Sequence, residues 1–169
     1  MRLSEEFYRR PATMAAPELL GKILCCKRET EVIRSRITET ECYFGEADSA
    51  CHASKGKTPR TEVLYEAGGV AYVYLCYGIH HLLNVVTGGA GFPQAVLIRG
   101  IEGYDGPGKL TKYLQIDKTF NRESFLSSSR LWIEDDGKTP AYEATPRIGI
   151  DYAKKEDRER LWRFCIKEN

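Results

Sequence analysis

Residues 37–52 read ITETECYFGEADSACH, and this stretch begins as a predicted strand. Successive strand residues point to opposite faces, so four side chains are predicted to share one face: Ile37, Glu39, Glu41 and Tyr43. Gly45 ends the strand, and a polar loop continues to His52. Two carboxylates beside an aromatic ring indicate either a solvated acidic strand edge or a general base beside a stacking surface.

Short apolar and β-branched runs on both sides of this stretch predict further strands. The predicted strands are residues 22–27, 32–43, 70–77, 82–86, 95–101, 130–133, 147–150 and 161–166. Helices are predicted over 12–20, 58–66 and 106–114, with a solvated helical turn over 154–160. Neighbouring strands follow one another without crossover helices. This predicts a mixed α/β (α+β) domain with a mainly antiparallel sheet.

Length and composition favour one domain over residues 1–169. Lys plus Arg total 25 and Asp plus Glu total 24, giving a net charge of +1. The overall charge therefore does not indicate a nucleic-acid binder, and any DNA contact requires basic residues gathered on one face. Six cysteines without a C-x-x-C pair, three histidines, and no signal peptide or long apolar run predict a reduced, soluble, cytoplasmic protein without metal or disulfide staple.

Three later features carry possible chemistry. Tyr72 and Tyr74 share a face of the predicted 70–77 strand, and Tyr77 lies at the turn that follows it. Arg99 stands inside an apolar strand, where a charge requires a carboxylate or phosphate partner. Lys109 follows a Gly-Pro-Gly helix start, a favourable place for a phosphate. Each feature also has an ordinary structural explanation, such as sheet packing or a solvated lysine.

Taken in order, these segments resemble the alkyladenine (3-methyladenine) DNA glycosylase family. The similar segments are ECYFG at 41–45 followed by His52, YVYLCYG at 72–78, Asn84, VLIR at 96–99, and GPGKL at 106–110. The resemblance extends from residue 7 to about residue 166. It implies a curved antiparallel sheet with surrounding helices and an enzyme that removes damaged purines from DNA. One departure is the short segment 100–105, where the family usually carries a longer, charged insert.

The resemblance assigns catalysis to Glu41 and Arg99. Glu41 would take a proton from the water that attacks the sugar, and Arg99 would lie beside that water. Glu39 is the second candidate for the base, because it is predicted to lie on the same face of the strand.

The resemblance also implies a pocket for a nucleotide turned out of the duplex. The implied pocket residues are Tyr43, His52, Tyr74 and Asn84, with Tyr72 as support. Asn84 would disfavour the extra amino group of guanine, and Tyr77 would fill the gap left in the base stack. Phosphate contacts are predicted from four basic residues: Lys55, Lys57, Arg60 and Lys109.

The resemblance thus implies a monofunctional DNA glycosylase acting on alkylated or deaminated purines of the 3-methyladenine, 7-methylguanine and hypoxanthine class, the first step of base excision repair. Water is the expected nucleophile, double-stranded DNA the expected partner, and no cofactor is implied; we expect a monomer, associated with the nucleoid in a prokaryote. The alternatives are a non-catalytic nucleic-acid-binding module of the same fold and a glycosidase using Glu39 and Glu41. A zinc base deaminase is disfavoured, because its H-x-E and P-C-x-x-C motifs are missing.

Overall fold

The computed structural model describes residues 1–167, and its centre is a nine-stranded sheet that curls into a half-barrel. The strands are β1 (Ile23–Arg28), β2 (Glu31–Phe44), β3 (Ala71–Cys76), β4 (His80–Val86), β5 (Gln94–Ile101), β6 (Tyr104–Asp105), β7 (Leu131–Glu134), β8 (Tyr142–Thr145) and β9 (Arg163–Ile166). The order along the sheet is β3-β4-β5-β2-β1-β7. β6 pairs with β5, and β9 joins β2 to β8. All these pairings are antiparallel, as the sequence predicts.

Short helices cover the sheet. They are α1 (Glu5–Tyr8), α2 (Ala12–Glu18), α3 (Pro107–Leu114) and α4 (Lys155–Arg158), with 3₁₀ helices at His52–Lys55, Glu62–Tyr65 and Lys118–Phe120. No helix within residues 1–167 is long and apolar enough to cross a membrane. All six cysteines are free thiols.

Strand β2 organises the sheet, because its two halves have different neighbours. Its first half pairs with β1 through a tight hairpin, and its second half lies between β5 and β9. Two register shifts, one on each side of Glu39, lie between Ile37 and Thr40. Because of this bulge, Ile37 packs in the main core and does not share a face with Glu39 and Glu41, so the predicted face is wrong for Ile37.

Beyond the bulge, β2 separates the core from the candidate site. Thr40 and Cys42 face inward: the Thr40 hydroxyl donates to the Ala16 carbonyl of α2 at 2.7 Å, and Cys42 lies in the apolar core. Glu39, Glu41 and Tyr43 therefore point to the opposite side, in accordance with the strand alternation. The core beneath the sheet fixes the backbone that carries these three side chains.

Two of the predicted elements are wrong. Residues 147–150 do not form a strand, because Arg147 turns inward to a buried ion pair and Gly149 has a φ of 75°. The strand in this region is instead β8, whose exposed residues give no apolar alternation to detect. Residues 58–66 form a turn and the Glu62–Tyr65 3₁₀ helix, in place of the predicted helix.

Candidate active site

A cleft of about 680 Å³ opens between the β3–β4 hairpin, the start of α3 and residues 148–152. Seven predicted site residues line it: Tyr43, His52, Arg60, Tyr74, Tyr77, Arg99 and Lys109. They come from segments spread over more than sixty residues of the chain. The curled sheet brings these seven side chains to one place.

Glu41 lies directly behind the cleft and is fully buried. Its Oε1 accepts a hydrogen bond from the Tyr43 hydroxyl at 2.7 Å, and its Oε2 accepts one from the Ile148 backbone N–H at 2.8 Å. Arg99 Nη1 lies 3.7 Å from Oε1. All three of these neighbours line the cleft, so Glu41 is separated from it by a single layer of side chains.

The surroundings of Glu41 perturb its ionisation. Burial raises the pKa of its carboxyl above the ordinary value, and this effect is larger than the opposing influence of Arg99, the Ile148 N–H and the Tyr43 hydroxyl. A raised pKa makes the ionised carboxylate a stronger proton acceptor, which suits a general base. Each carboxylate oxygen can accept about two hydrogen bonds, so both oxygens keep an acceptor position.

Glu39 lies beside Glu41 but has different partners. Its Oε2 accepts hydrogen bonds from Arg99 Nε at 3.1 Å and from Arg163 Nε of β9. Glu39 is also buried, at 7 % exposure. The interpretation of this strand as a solvated acidic edge is therefore wrong, since both carboxylates are enclosed among arginines.

His52, Tyr72 and Tyr74 form an aromatic wall. The ring centroids of His52 and Tyr74 are 4.5 Å apart, and His52 Nδ1 lies 2.8 Å from the Tyr72 hydroxyl. Burial, and secondly the positive charge of Arg60, lower the pKa of His52 to about 4. At neutral pH the imidazole is uncharged, so the three rings of the wall add no charge to the cleft.

Tyr72 and Asn84 lie deeper than the other predicted residues. They line a small inner cavity of about 40 Å³ behind His52 and Tyr74 rather than the cleft. The Asn84 side chain donates to the Tyr72 carbonyl at 3.2 Å. These two residues are therefore separated from the cleft by His52 and Tyr74.

The outer edge of the cleft is exposed and basic. Tyr77 stands at the tip of the β3–β4 hairpin and is 87 % exposed, and Lys109 projects from the first turn of α3. Gly108 allows α3 to begin against the hairpin, since a Cβ there would lie 2.8 Å from the His80 ring. Arg60 packs over the Tyr74 ring, whereas Lys55 and Lys57 are exposed outside the cleft lining.

Comparison with known proteins identifies the family. A sequence model of the methylpurine-DNA glycosylases matches residues 6–106 and 102–169. The chain belongs to the methylpurine-DNA glycosylase family. Proteins named "Putative 3-methyladenine DNA glycosylase" are similar over most of their length: that of Psychrobacter cryohalolentis is 46 % identical, covering 87 % of this chain and 84 % of its own. Those of Borrelia garinii subsp. bavariensis and Sodalis glossinidius are 44 % and 45 % identical, each covering 96 % of this chain and 95 % of theirs.

In this methylpurine-DNA glycosylase family member, the two matched segments meet at residues 102–106. This is where the sequence analysis expects a shortened segment. The structure fills the position with a tight hairpin in which Ile101 of β5 pairs with Tyr104 of β6. The hairpin leads directly into Gly106 and α3, so Lys109 keeps its place at the cleft.

Sequence reasoning missed Arg147, which fixes the cleft from below. Its guanidinium is fully buried, pairs with Asp48 through contacts of 2.7 and 3.0 Å, and donates to the Cys42 carbonyl at 2.9 Å. It also lies 4.9 Å from the Tyr43 ring centroid. Arg147 thereby holds residues 147–150 against β2 and presents the Ile148 N–H to Glu41.

Tyr152 is the other missed residue. It lines both the cleft and the inner cavity, and its hydroxyl donates to the Ala50 carbonyl at 3.0 Å. The sequence around Tyr152 offers no periodicity that would have marked it. A group of three or more side chains suited to hold a metal ion does not occur within residues 1–167.

Proposed function

We propose that the protein is a monofunctional DNA glycosylase that hydrolyses the N-glycosidic bond of alkylated or deaminated purines. The observation that carries this proposal is Glu41, a buried carboxylate whose neighbours Tyr43, Arg99 and Ile148 all line an aromatic cleft. A general base needs enclosure and a fixed orientation beside a substrate site.

In the proposed reaction, a damaged nucleotide leaves the duplex and its purine enters the cleft. Glu41 accepts a proton from a water that attacks C1′ of the sugar while the bond to the base breaks. The developing positive charge on the sugar is stabilised by the same carboxylate. Arg99, whose Nη1 lies 3.7 Å from Glu41 Oε1, is proposed to lie beside this water and to help hold it.

The cleft favours planar substrates. The rings of His52 and Tyr74 line the cleft, and stacking on aromatic rings tolerates different bases. Alkylated purines such as 3-methyladenine and 7-methylguanine carry a positive charge and leave readily, whereas hypoxanthine is neutral and requires protonation. Asn84, behind the wall, is proposed to disfavour the amino group of guanine.

Water, rather than a lysine, is proposed as the nucleophile. Lys109 is the one lysine among the residues that line the cleft, and it lies at the start of α3, where a phosphate is favoured. We therefore expect base release without strand cleavage. Glu39 is a poor partner for a glycosidase mechanism, because its Oε2 is occupied by two guanidinium donors.

The test is base release from methylated duplex DNA by the parent and by Glu41→Gln. The amide keeps the shape of the side chain but cannot accept the proton, so we expect loss of at least about 1,000-fold in the single-turnover rate, with nearly unchanged DNA affinity. Excision by Glu41→Gln within a few-fold of the parent would show that Glu41 is not the base. A parent that binds DNA but releases no base would favour the non-catalytic module. Sugar release from oligosaccharides would favour the glycosidase.

A further inference from the structure

We propose that Glu39 is a positioning residue for Arg99, holding it close to Glu41 without allowing the two to form a direct hydrogen bond. This inference rests on the proposed function, because it concerns the basicity of Glu41. It gives Glu39 a role other than that of the alternative general base considered from the sequence.

The contacts form an alternating series of charges. Arg163 Nε donates to Glu39 Oε2, Arg99 Nε donates to the same oxygen at 3.1 Å, and Arg99 Nη1 lies 3.7 Å from Glu41 Oε1. The series runs across three adjacent strands, β9, β2 and β5. The sheet pairing therefore fixes the relative positions of the three backbones.

The difference between the two Arg99 contacts is the basis of the proposal. The contact to Glu39 is within hydrogen-bond distance, whereas 3.7 Å to Glu41 is beyond it. A free guanidinium prefers two parallel hydrogen bonds to one carboxylate. Because Glu39 binds the Nε of Arg99, the guanidinium stays with Nη1 3.7 Å from Glu41 Oε1, and Arg99 does not take the remaining acceptor position of that oxygen, which we assign to water.

Burial makes this orientation consequential. The Glu41 side chain is fully enclosed, that of Glu39 is 9 % exposed and that of Arg99 17 %. Charges interact strongly in such surroundings because solvent screens them little. The ionisable groups that face Glu41 come from each neighbouring element: Tyr43 and Glu39 of β2, Arg99 of β5, Arg163 of β9, and Arg147 and Tyr152 of the following segments.

The test is the pH dependence of single-turnover release of 7-methylguanine from duplex DNA by Glu39→Gln. We expect the maximal rate to fall between about 10- and 100-fold, because a displaced Arg99 occupies the acceptor position on Glu41. The acid limb of the pH–rate profile, where the rate falls as the pH is lowered, should move to lower pH. Loss of the Glu39 charge and closure of Arg99 both favour ionised Glu41, so its pKa falls. A role in packing alone would reduce the rate without moving the limb.

Two further variants complete the design. Glu39→Asp keeps the charge, so its acid limb should stay near that of the parent. Arg163→Gln leaves the contact between Glu39 and Arg99 in place, so the rate should remain within about three-fold. An unshifted limb in Glu39→Gln, or a loss of ten-fold or more in Arg163→Gln, would overturn the proposal. The Arg163→Gln measurement tests the proposal even if Glu39→Gln does not fold.

A matched control lies at the other end of the same sheet. Glu134→Gln removes a carboxylate that pairs with Arg34 of β2 at 2.6 Å, far along the strand from the cleft, and should change neither rate nor pH profile. Complete loss of 7-methylguanine release in Glu39→Gln, equal to that in Glu41→Gln, would indicate that Glu39 is the base and would refute its positioning role. Failure of the proposed function is distinguishable, because the parent itself would then release no 7-methylguanine.

Discussion

The floor and the rim of the cleft both carry charged side chains, but in opposite surroundings. We define the floor as Glu39, Glu41, Asp48, Arg99 and Arg147, and the rim as Lys55, Lys57, Arg60, Tyr77 and Lys109. The floor charges are largely enclosed and ion-paired. The basic rim residues are exposed, and no carboxylate within residues 1–167 forms an ion pair with them.

Because of this difference, the buried charges of the floor and the exposed charges of the rim should respond differently to substitution. A buried charge depends on the position of each partner, so one substitution on the floor should have a large, local effect. An exposed charge is screened by solvent and salt, so the rim should act through the sum of its members. The predictions below test this contrast, beginning with the largest effect.

Asp48→Asn should destabilise the fold by about 3–5 kcal/mol, because it leaves the buried guanidinium of Arg147 without its counter-charge. The side chains of Arg147 and Asp48 are 0 % and 1 % exposed. Urea unfolding of the variant and the parent measures the difference. The matched control is Glu62→Gln, which breaks an exposed ion pair with Arg122 and should change stability by less than about 1 kcal/mol. Equal effects of the two substitutions would contradict the contrast between buried and exposed charges.

The sequence allowed part of the floor to be predicted, for a physical reason. Strand alternation is local, so Glu39, Glu41 and Tyr43 could be placed on one face from their spacing. The partners of Glu41 and Cys42 on the 147–150 segment lie 107 and 105 residues away, and no local pattern encodes such contacts. The sequence predicts a strand at Arg147, because a short apolar and charged run does not reveal that its arginine is buried.

The bulge at Ile37 illustrates the same limit. The pairing of β2 with β5 shifts on both sides of Glu39, and a strand's own alternation does not reveal such an irregularity in its pairing. The rim was easier to predict in kind, since a hairpin tip and a Gly-Pro-Gly helix start are recognisable locally. Whether Lys55 and Lys57 act with Lys109 depends on the curvature of the sheet, which the sequence alone does not express.

Tyr77→Ser should reduce single-turnover excision from duplex DNA by about ten-fold or more, with a smaller loss on single strands. Turning a base out of a duplex costs a few kcal/mol, and a ring inserted into the vacated stack recovers part of it. Because Tyr77 is 87 % exposed, the substitution should leave the melting temperature nearly unchanged. Ile79→Ser is the matched control, at 72 % exposure on the same turn. Equal losses on both substrates with a lowered melting temperature would assign Tyr77 to packing.

Tyr43→Phe should reduce the maximal rate by about ten-fold and move the acid limb to higher pH. The Tyr43 hydroxyl donates to Glu41 and is one of the influences that lower the pKa of that carboxyl. Without it the pKa rises further, and Glu41 is protonated at a higher pH; this shift is opposite to the one expected for Glu39→Gln. Tyr65→Phe is the control, since its hydroxyl donates to Glu46 outside the cleft. A limb that moves down in Tyr43→Phe would contradict Glu41 as the group that titrates.

The smallest single effect should come from the rim, where Lys109→Ala is expected to weaken DNA binding by only a few-fold. Each lost phosphate contact should make the log–log dependence of affinity on salt shallower by about 0.9. The excision rate at saturating DNA should be unchanged, because Lys109 is placed at the start of α3 and has no contact with Glu41. Binding titrations between low and moderate salt, with Lys155→Ala of α4 as control, measure the slope.

The parent must show a steep slope despite its net charge of +1, since the rim presents four basic side chains locally. A parent slope near zero would show that the rim does not bind duplex DNA. A lower excision rate of Lys109→Ala at saturating DNA would show that Lys109 contributes to catalysis, as the floor residues do.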